Sequence, residues 1–120
     1  MSVNFEGYNE KILTFEKDTG SITIGYPVKV SNNGKVSQCS SGDKFCGFAV
    51  SVRENLVGVQ MSGYKEIKYA NGTGSNAPTV ELGYSTVTAG TEGGVIAATA
   101  GNDVLVVSID KTNKVAGFIF

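Results

Sequence analysis

Phe48-Ala49-Val50-Ser51-Val52-Arg53-Glu54-Asn55-Leu56-Val57-Gly58-Val59-Gln60-Met61-Ser62 is the stretch that decides the fold. Phe48, Val50 and Val52 alternate with Ala49 and Ser51. Beyond Glu54 and Asn55, Val57, Val59 and Met61 alternate with Gly58, Gln60 and Ser62. A period of two puts successive side chains on opposite faces of a pleated strand, whereas a helical face repeats every three or four residues. β-Branched valine suits the pleated surface. Two strands are therefore predicted, over 46–53 and 56–64.

The same rhythm extends outward. Ile22, Ile24 and Tyr26 alternate with Thr23 and Gly25, and Val28 and Val30 continue the run, which predicts a strand over 21–30. Val104, Val106 and Ser108 face away from Leu105, Val107 and Ile109, and the ending Val115–Phe120 is also strand-like; strands are expected over 103–109 and 114–120. Because 104–109 is apolar on both faces, it is expected to be a central, doubly covered strand. Val50, Val52, Val59, Leu105, Val107 and Phe118 are the expected core. Asn32-Asn33-Gly34, Ser41-Gly42-Asp43, Asn71-Gly72, Glu92-Gly93-Gly94 and Gly101-Asn102-Asp103 supply turn residues, spaced as in a sandwich or barrel. Pro27 marks an edge or a bulge. Phe5, Tyr8, Ile12 and Phe15 also fit a helical spacing, but Gly7 interrupts it, so an extended arm plus a strand is preferred. Residues 69–80, rich in Gly, Asn and Pro, read as one long surface loop. No internal repeat is read. The fold class is all-β: a single small barrel or sandwich domain, with residues 1–16 as N-terminal arm and first strand and 17–120 as the barrel.

Composition narrows function. The chain has 120 residues, 41% of them hydrophobic, so one domain with a real core is feasible. Ten basic against eleven acidic side chains give a net charge of −1, too weak a field to hold nucleic acid through counterion release. Charged residues are 18%, below the roughly 25% of ordinary soluble domains, as a subunit packed among neighbours tolerates. There is no apolar run of about 18 residues to span a bilayer and no signal-peptide pattern, so synthesis in the cytoplasm and no membrane partner are expected. With no histidine and two cysteines, a Ser-His-Asp triad, a Cys-His pair and a structural zinc site are excluded.

The remaining motifs carry no chemistry. Gly72-Thr73-Gly74-Ser75-Asn76-Ala77 has the letters of a dinucleotide turn, but Pro78-Thr79-Val80 follows where a helix must open. Ser85, in Gly83-Tyr84-Ser85-Thr86-Val87, lacks the second glycine of a nucleophile elbow. No Asp-x-Asp-x-Asp-Gly calcium loop occurs. No catalytic residue, cofactor or metal is expected, and the protein is not read as an enzyme. Cys39 and Cys46 flank a six-residue stretch that reads as a hairpin loop. Either they face each other and form a disulfide, or they are two small buried apolar residues, the preferred reading.

Gly25-Tyr26-Pro27-Val28-Lys29-Val30, then Gly34-Lys35-Val36, then Gly42-Asp43-Lys44-Phe45-Cys46-Gly47-Phe48-Ala49, then Val57-Gly58-Val59-Gln60-Met61-Ser62-Gly63-Tyr64 follow one another in an order that resembles the head decoration, or capsid-stabilising, proteins of tailed bacteriophages and prophages. The opening Phe5–Glu10 and the stretch Leu105–Asp110 resemble members from phages of Gram-positive gut bacteria. The resemblance implies a β-barrel or tulip-like domain on the outer surface of the virion head. It further implies a homo-oligomer, with a trimer favoured, that binds the major capsid protein and cements the lattice. On that reading Phe5, Tyr8, Asn9 and Ile12 are the capsid contacts of the arm, although core packing of a first strand is the plainer role for Ile12 and for Phe15. The alternative is a virion surface module for host glycans or mucus, using Tyr64, Tyr69 and Tyr84.

Overall fold

The computed structural model describes residues 10–120. They form ten strands and one 3-10 turn: β1 (Lys11–Lys17), β2 (Pro27–Asn32), β3 (Lys35–Gln38), β4 (Gly47–Arg53), β5 (Leu56–Ser62), β6 (Tyr64–Ala70), β7 (Gly83–Ala89), the turn Thr91–Gly93, β8 (Val95–Ala97), β9 (Asn102–Asp110) and β10 (Val115–Ile119). The chain is all-β, as the alternation predicts, and its strands close into two five-stranded barrels rather than one. The first has the order β1-β3-β2-β4-β5 and the second β6-β8-β7-β9-β10. Closure leaves no sheet edge exposed in either barrel.

The second barrel repeats the first. β1 pairs parallel with β3 and antiparallel with β5; β6 does the same with β8 and β10. The β2–β3, β2–β4 and β4–β5 ladders have antiparallel counterparts in β7–β8, β7–β9 and β9–β10. The likeness reaches single residues. Ser51 faces Gly58 and Ser108 faces Gly117, and a register shift follows beside each pair. A Cβ on either glycine would collide with the serine hydroxyl opposite. Ser21-Ile22-Thr23-Ile24-Gly25-Tyr26 and Thr79-Val80-Glu81-Leu82-Gly83-Tyr84 form a second matching pair. In each, a buried Ile22 or Val80 is followed by an exposed Ile24 or Leu82 and a glycine at φ 93°. The repeat is not legible in the sequence, because the two copies share few identities and differ in loop length.

Each barrel has its own core. Ile22, Val28, Val36, Ala49, Val57 and Val59 fill the first, with Phe15 packed against them. Ile67, Val87, Val95, Val104, Val106, Ala116 and Phe118 belong to the second, together with Phe45 and Phe48, which the first barrel contributes. Of the expected core, Val59 and Phe118 are fully buried, but Val50, Val52, Leu105 and Val107 are only partly so. The physical reason in β4 is the bulge between Ala49 and Ser51, which inserts Val50 and resets the alternation so that Ala49 and Val52 point inward. In β9 the inward face is Val104 and Val106, with Leu105 on the outer face of a closed barrel. β9 is therefore a barrel stave, not a doubly covered strand.

Boundaries moved where glycine permits a turn. The run expected over 56–64 is split at Gly63, φ 121°, where the chain crosses from one barrel to the other. The strand expected over 21–30 begins only at Pro27, because Thr23–Tyr26 form a turn around Gly25. Pro27 opens its strand, the position that asks for no ladder donor. The loop expected over 69–80 lies beyond Ala70 and is closed by Val80 N–H donating to Asn71 Oδ1 (2.9 Å) and Gly72 N–H donating to the Pro78 carbonyl (2.9 Å).

Candidate functional site

β1 is the described element nearest the proposed arm. Phe5, Tyr8 and Asn9 lie outside the described residues, so of the four expected capsid contacts only Ile12 has a described position. Ile12 stands on β1 opposite Gln60 and is 50% exposed. Gln60 is itself buried, and its side-chain amide donates to the Ser62 (3.3 Å) and Tyr64 (3.2 Å) carbonyls. Core packing, the plainer role expected for Ile12 and Phe15, is met by Phe15 alone, which packs against the first core. The strand thus turns Phe15 into the barrel and leaves Ile12 as an apolar side chain in solvent. Leu13 (46%), Leu56 (50%), Leu82 (67%) and Tyr84 (81%) are further exposed apolar side chains that periodicity alone did not single out as a group.

The cysteines do not form the bridge that a hairpin loop would allow. β3 and β4 are not partners: each pairs with β2, one on either side. Cys39 packs against the second core and Cys46 against the first, and both are free. Burial, reinforced by the Asp43 carboxylate, pushes the Cys39 thiol up to about 12, and burial also raises Cys46. A protonated thiol is a poor nucleophile. The native protein should therefore react slowly with a thiol reagent at neutral pH, and denaturation without reductant should release two thiols per chain. Finding none after denaturation would establish a bridge instead.

The segment between Cys39 and Cys46 serves as a strap across the two barrels. Gly42 N–H donates to the Ala89 carbonyl (2.8 Å) and Ala89 N–H to the Asp43 carbonyl (2.9 Å). Phe45 N–H donates to Asn102 Oδ1 (3.0 Å), and Asn102 Nδ2 donates back to the Phe45 carbonyl (2.8 Å). The Asp43 carboxylate holds the strap's own turn by accepting from Lys29 Nζ (2.7 Å) and Ser40 N–H (2.9 Å). The Lys29 hydrogen bond and that of Ser40 depress the Asp43 pKa. A carboxylate with a depressed native pKa stabilises the fold above its unfolded value, about 3.9, and that contribution disappears as pH falls through the lower native value. Asp43→Asn should accordingly lower the melting temperature at pH 7, with the difference from wild type shrinking toward about pH 2. An unchanged difference at both pH values would remove the carboxylate from this role.

No compact polar centre emerges among the described residues. Among the described residues, no group of three or more Cys, Asp and Glu side chains is placed to hold a metal, and no helix is long and apolar enough to cross a membrane. A depression of about 840 Å³ is bordered by Tyr69, Asn71, Glu81, Leu82, Asp110 and Lys114. Of the three tyrosines expected near a glycan, Tyr69 is buried with the Lys114 ammonium 5.7 Å from its ring, Tyr64 is half-buried and bonded to Glu66 (3.0 Å), and Tyr84 is exposed. They do not converge on one platform. Asp110 at the rim is occupied by Thr112 and Asn113, whose hydrogen bonds lower its pKa. No protein-family model, curated protein or solved structure matches the chain.

Proposed function

We propose that the chain is a structural virion protein that decorates the outside of an icosahedral phage head and stabilises its lattice by binding the major capsid protein. The observation that carries this reading is Ile12, a half-exposed apolar side chain on the outside of a barrel stave. It continues, in sequence, a segment bearing Phe5 and Tyr8. The order of motifs from Gly25 to Tyr64 and the low charge content support it as well. A rigid double barrel supplies a body, and the N-terminal segment supplies the attachment. A segment that adds a strand to a capsid sheet gains main-chain hydrogen bonds with little demand on side-chain identity. Copies that engage several capsid chains at once multiply modest contacts into high avidity.

Co-sedimentation tests the reading. The protein mixed with expanded, undecorated heads should pellet with them at saturating stoichiometry; protein that stays in the supernatant contradicts the proposal. The second reading, glycan recognition, is favoured only by the depression beside Tyr69 and Asp110, and retention on a glycan array would select it.

A further inference from the structure

The contact between the two barrels is one-sided. On the first barrel, Pro27 and its cross-strand partner Phe48 are fully buried, and Phe48 closes the mouth of the second barrel. Its ring lies 6.1 Å from that of Phe118 and 5.1 Å from that of Phe120, with the Lys65 ammonium 5.2 Å away. The Tyr26 ring covers Gly93 so closely that a Cβ there would overlap it.

Both halves of this joint recur in the repeat, and both are left open. Leu105 stands in the second barrel where Phe48 stands in the first, and its cross-strand partner Tyr84 takes the place that Tyr26 and Pro27 share, because Gly25 and Tyr26 both bond to Ala49 and so insert one extra residue in the first barrel. Tyr84 is 81% exposed and Leu105 is only partly buried. The position that matches Lys65, which pairs with Phe118, is Leu13, which pairs with Val59. Leu13 is 46% exposed. Gly34 stands in the β2–β3 turn as Gly93 stands in the β7–β8 turn, also at positive φ, and the space above it is empty. A two-fold contact would have used each surface twice. This one uses the plug of the first barrel and the mouth of the second, and among the described residues nothing covers the other mouth and the other plug. Joints between two different surfaces are heterologous and repeat from copy to copy.

We infer that a second copy of this chain seats its Tyr84–Leu105 face on the mouth of the first barrel, at Leu13 and the Asn32–Gly34 turn, so that the seam inside each chain recurs between chains. The occupant is another copy because the surface that fits this mouth is already built, once, within the same molecule. The inference stands independently of the capsid reading, since it concerns the free protein.

Light scattering of the full chain, without capsids, tests it. The wild type should run at a whole multiple, greater than one, of the 12.5 kDa chain mass. Tyr84→Glu and Leu13→Glu should each run at the single chain mass with unchanged circular dichroism. Mixed, they should give twice the chain mass and nothing larger, because one intact plug and one intact mouth remain. Gly34→Asn is a second mouth variant should Leu13→Glu misfold: asparagine tolerates a positive φ, and its side chain fills the space the incoming ring needs. A wild type at the single chain mass at its highest soluble concentration overturns the inference. So does a variant that keeps the wild-type mass, or a mixture that stays at the single chain mass.

Discussion

Phe48→Ala is expected to destabilise the chain by about 3–5 kcal/mol, the range for removing a buried aromatic ring and leaving a cavity. Phe48 is fully buried, and its ring meets those of Phe45 (5.0 Å), Phe118 (6.1 Å) and Phe120 (5.1 Å), the last edge-on. Phe48 stands on a strand of the first barrel but packs into the core of the second. Its loss therefore opens the seam as well as the core. Urea unfolding checks this: the midpoint should fall sharply, and a second transition should appear as the barrels cease to unfold together. A single transition displaced by less than about 1 kcal/mol would mean that the seam is not held by this ring, since such a loss falls well short of the cavity range.

The second large effect concerns attachment. Removing residues 1–9 should leave circular dichroism and melting nearly unchanged, because β1 begins at Lys11 and the first core is filled by residues 15–61. Binding to expanded heads should be abolished. Phe5 and Tyr8, if docked on a capsid chain, each remove about 1.5–3 kcal/mol worth of side chain from water, so the pair is worth well over tenfold in affinity before ordering costs. Truncated protein that still decorates heads at full occupancy would move the contact onto the barrels, and truncated protein that fails to fold would make the segment part of the core.

The fold class was legible because alternation is a local property. β4, β9 and β10 fall within a residue or two of their expected bounds, since each is a long run of alternating apolar side chains ended by a turn residue. What alternation could not carry is the bulge at Val50, which resets the inward face without any change in composition. Nor could it carry the division into two barrels, which depends on which strands pair across dozens of residues. The short strands β3 and β8 were missed for lack of length, and β6 and β7 because polar and small residues break up their apolar alternation; the pairing of β3 with β1 and of β8 with β6 is what closes the barrels. The traces of duplication that the sequence does hold are small: Ile24-Gly25-Tyr26 against Leu82-Gly83-Tyr84, and Ser51 and Gly58 against Ser108 and Gly117. The serine–glycine pairs become meaningful only when the ladders place them at matching positions, and the other two segments when each is seen to lead into the matching strand. For the candidate site, Ile12 was legible as an apolar residue but not as an exposed one, because its exposure depends on which face of β1 turns into the barrel, and that is the face of Phe15. The cysteine hairpin was misjudged for a related reason, since neighbours in sequence here flank a third strand.

The proposal that this protein is a component of a phage head is tested most directly by cryo-electron microscopy of phage particles produced with it. The account predicts paired barrels seated on the outer face of the shell, with density for the N-terminal segment running onto the major capsid protein. A particle in which the protein is absent from the head, or held elsewhere on the virion with no contact to the capsid lattice, would contradict it.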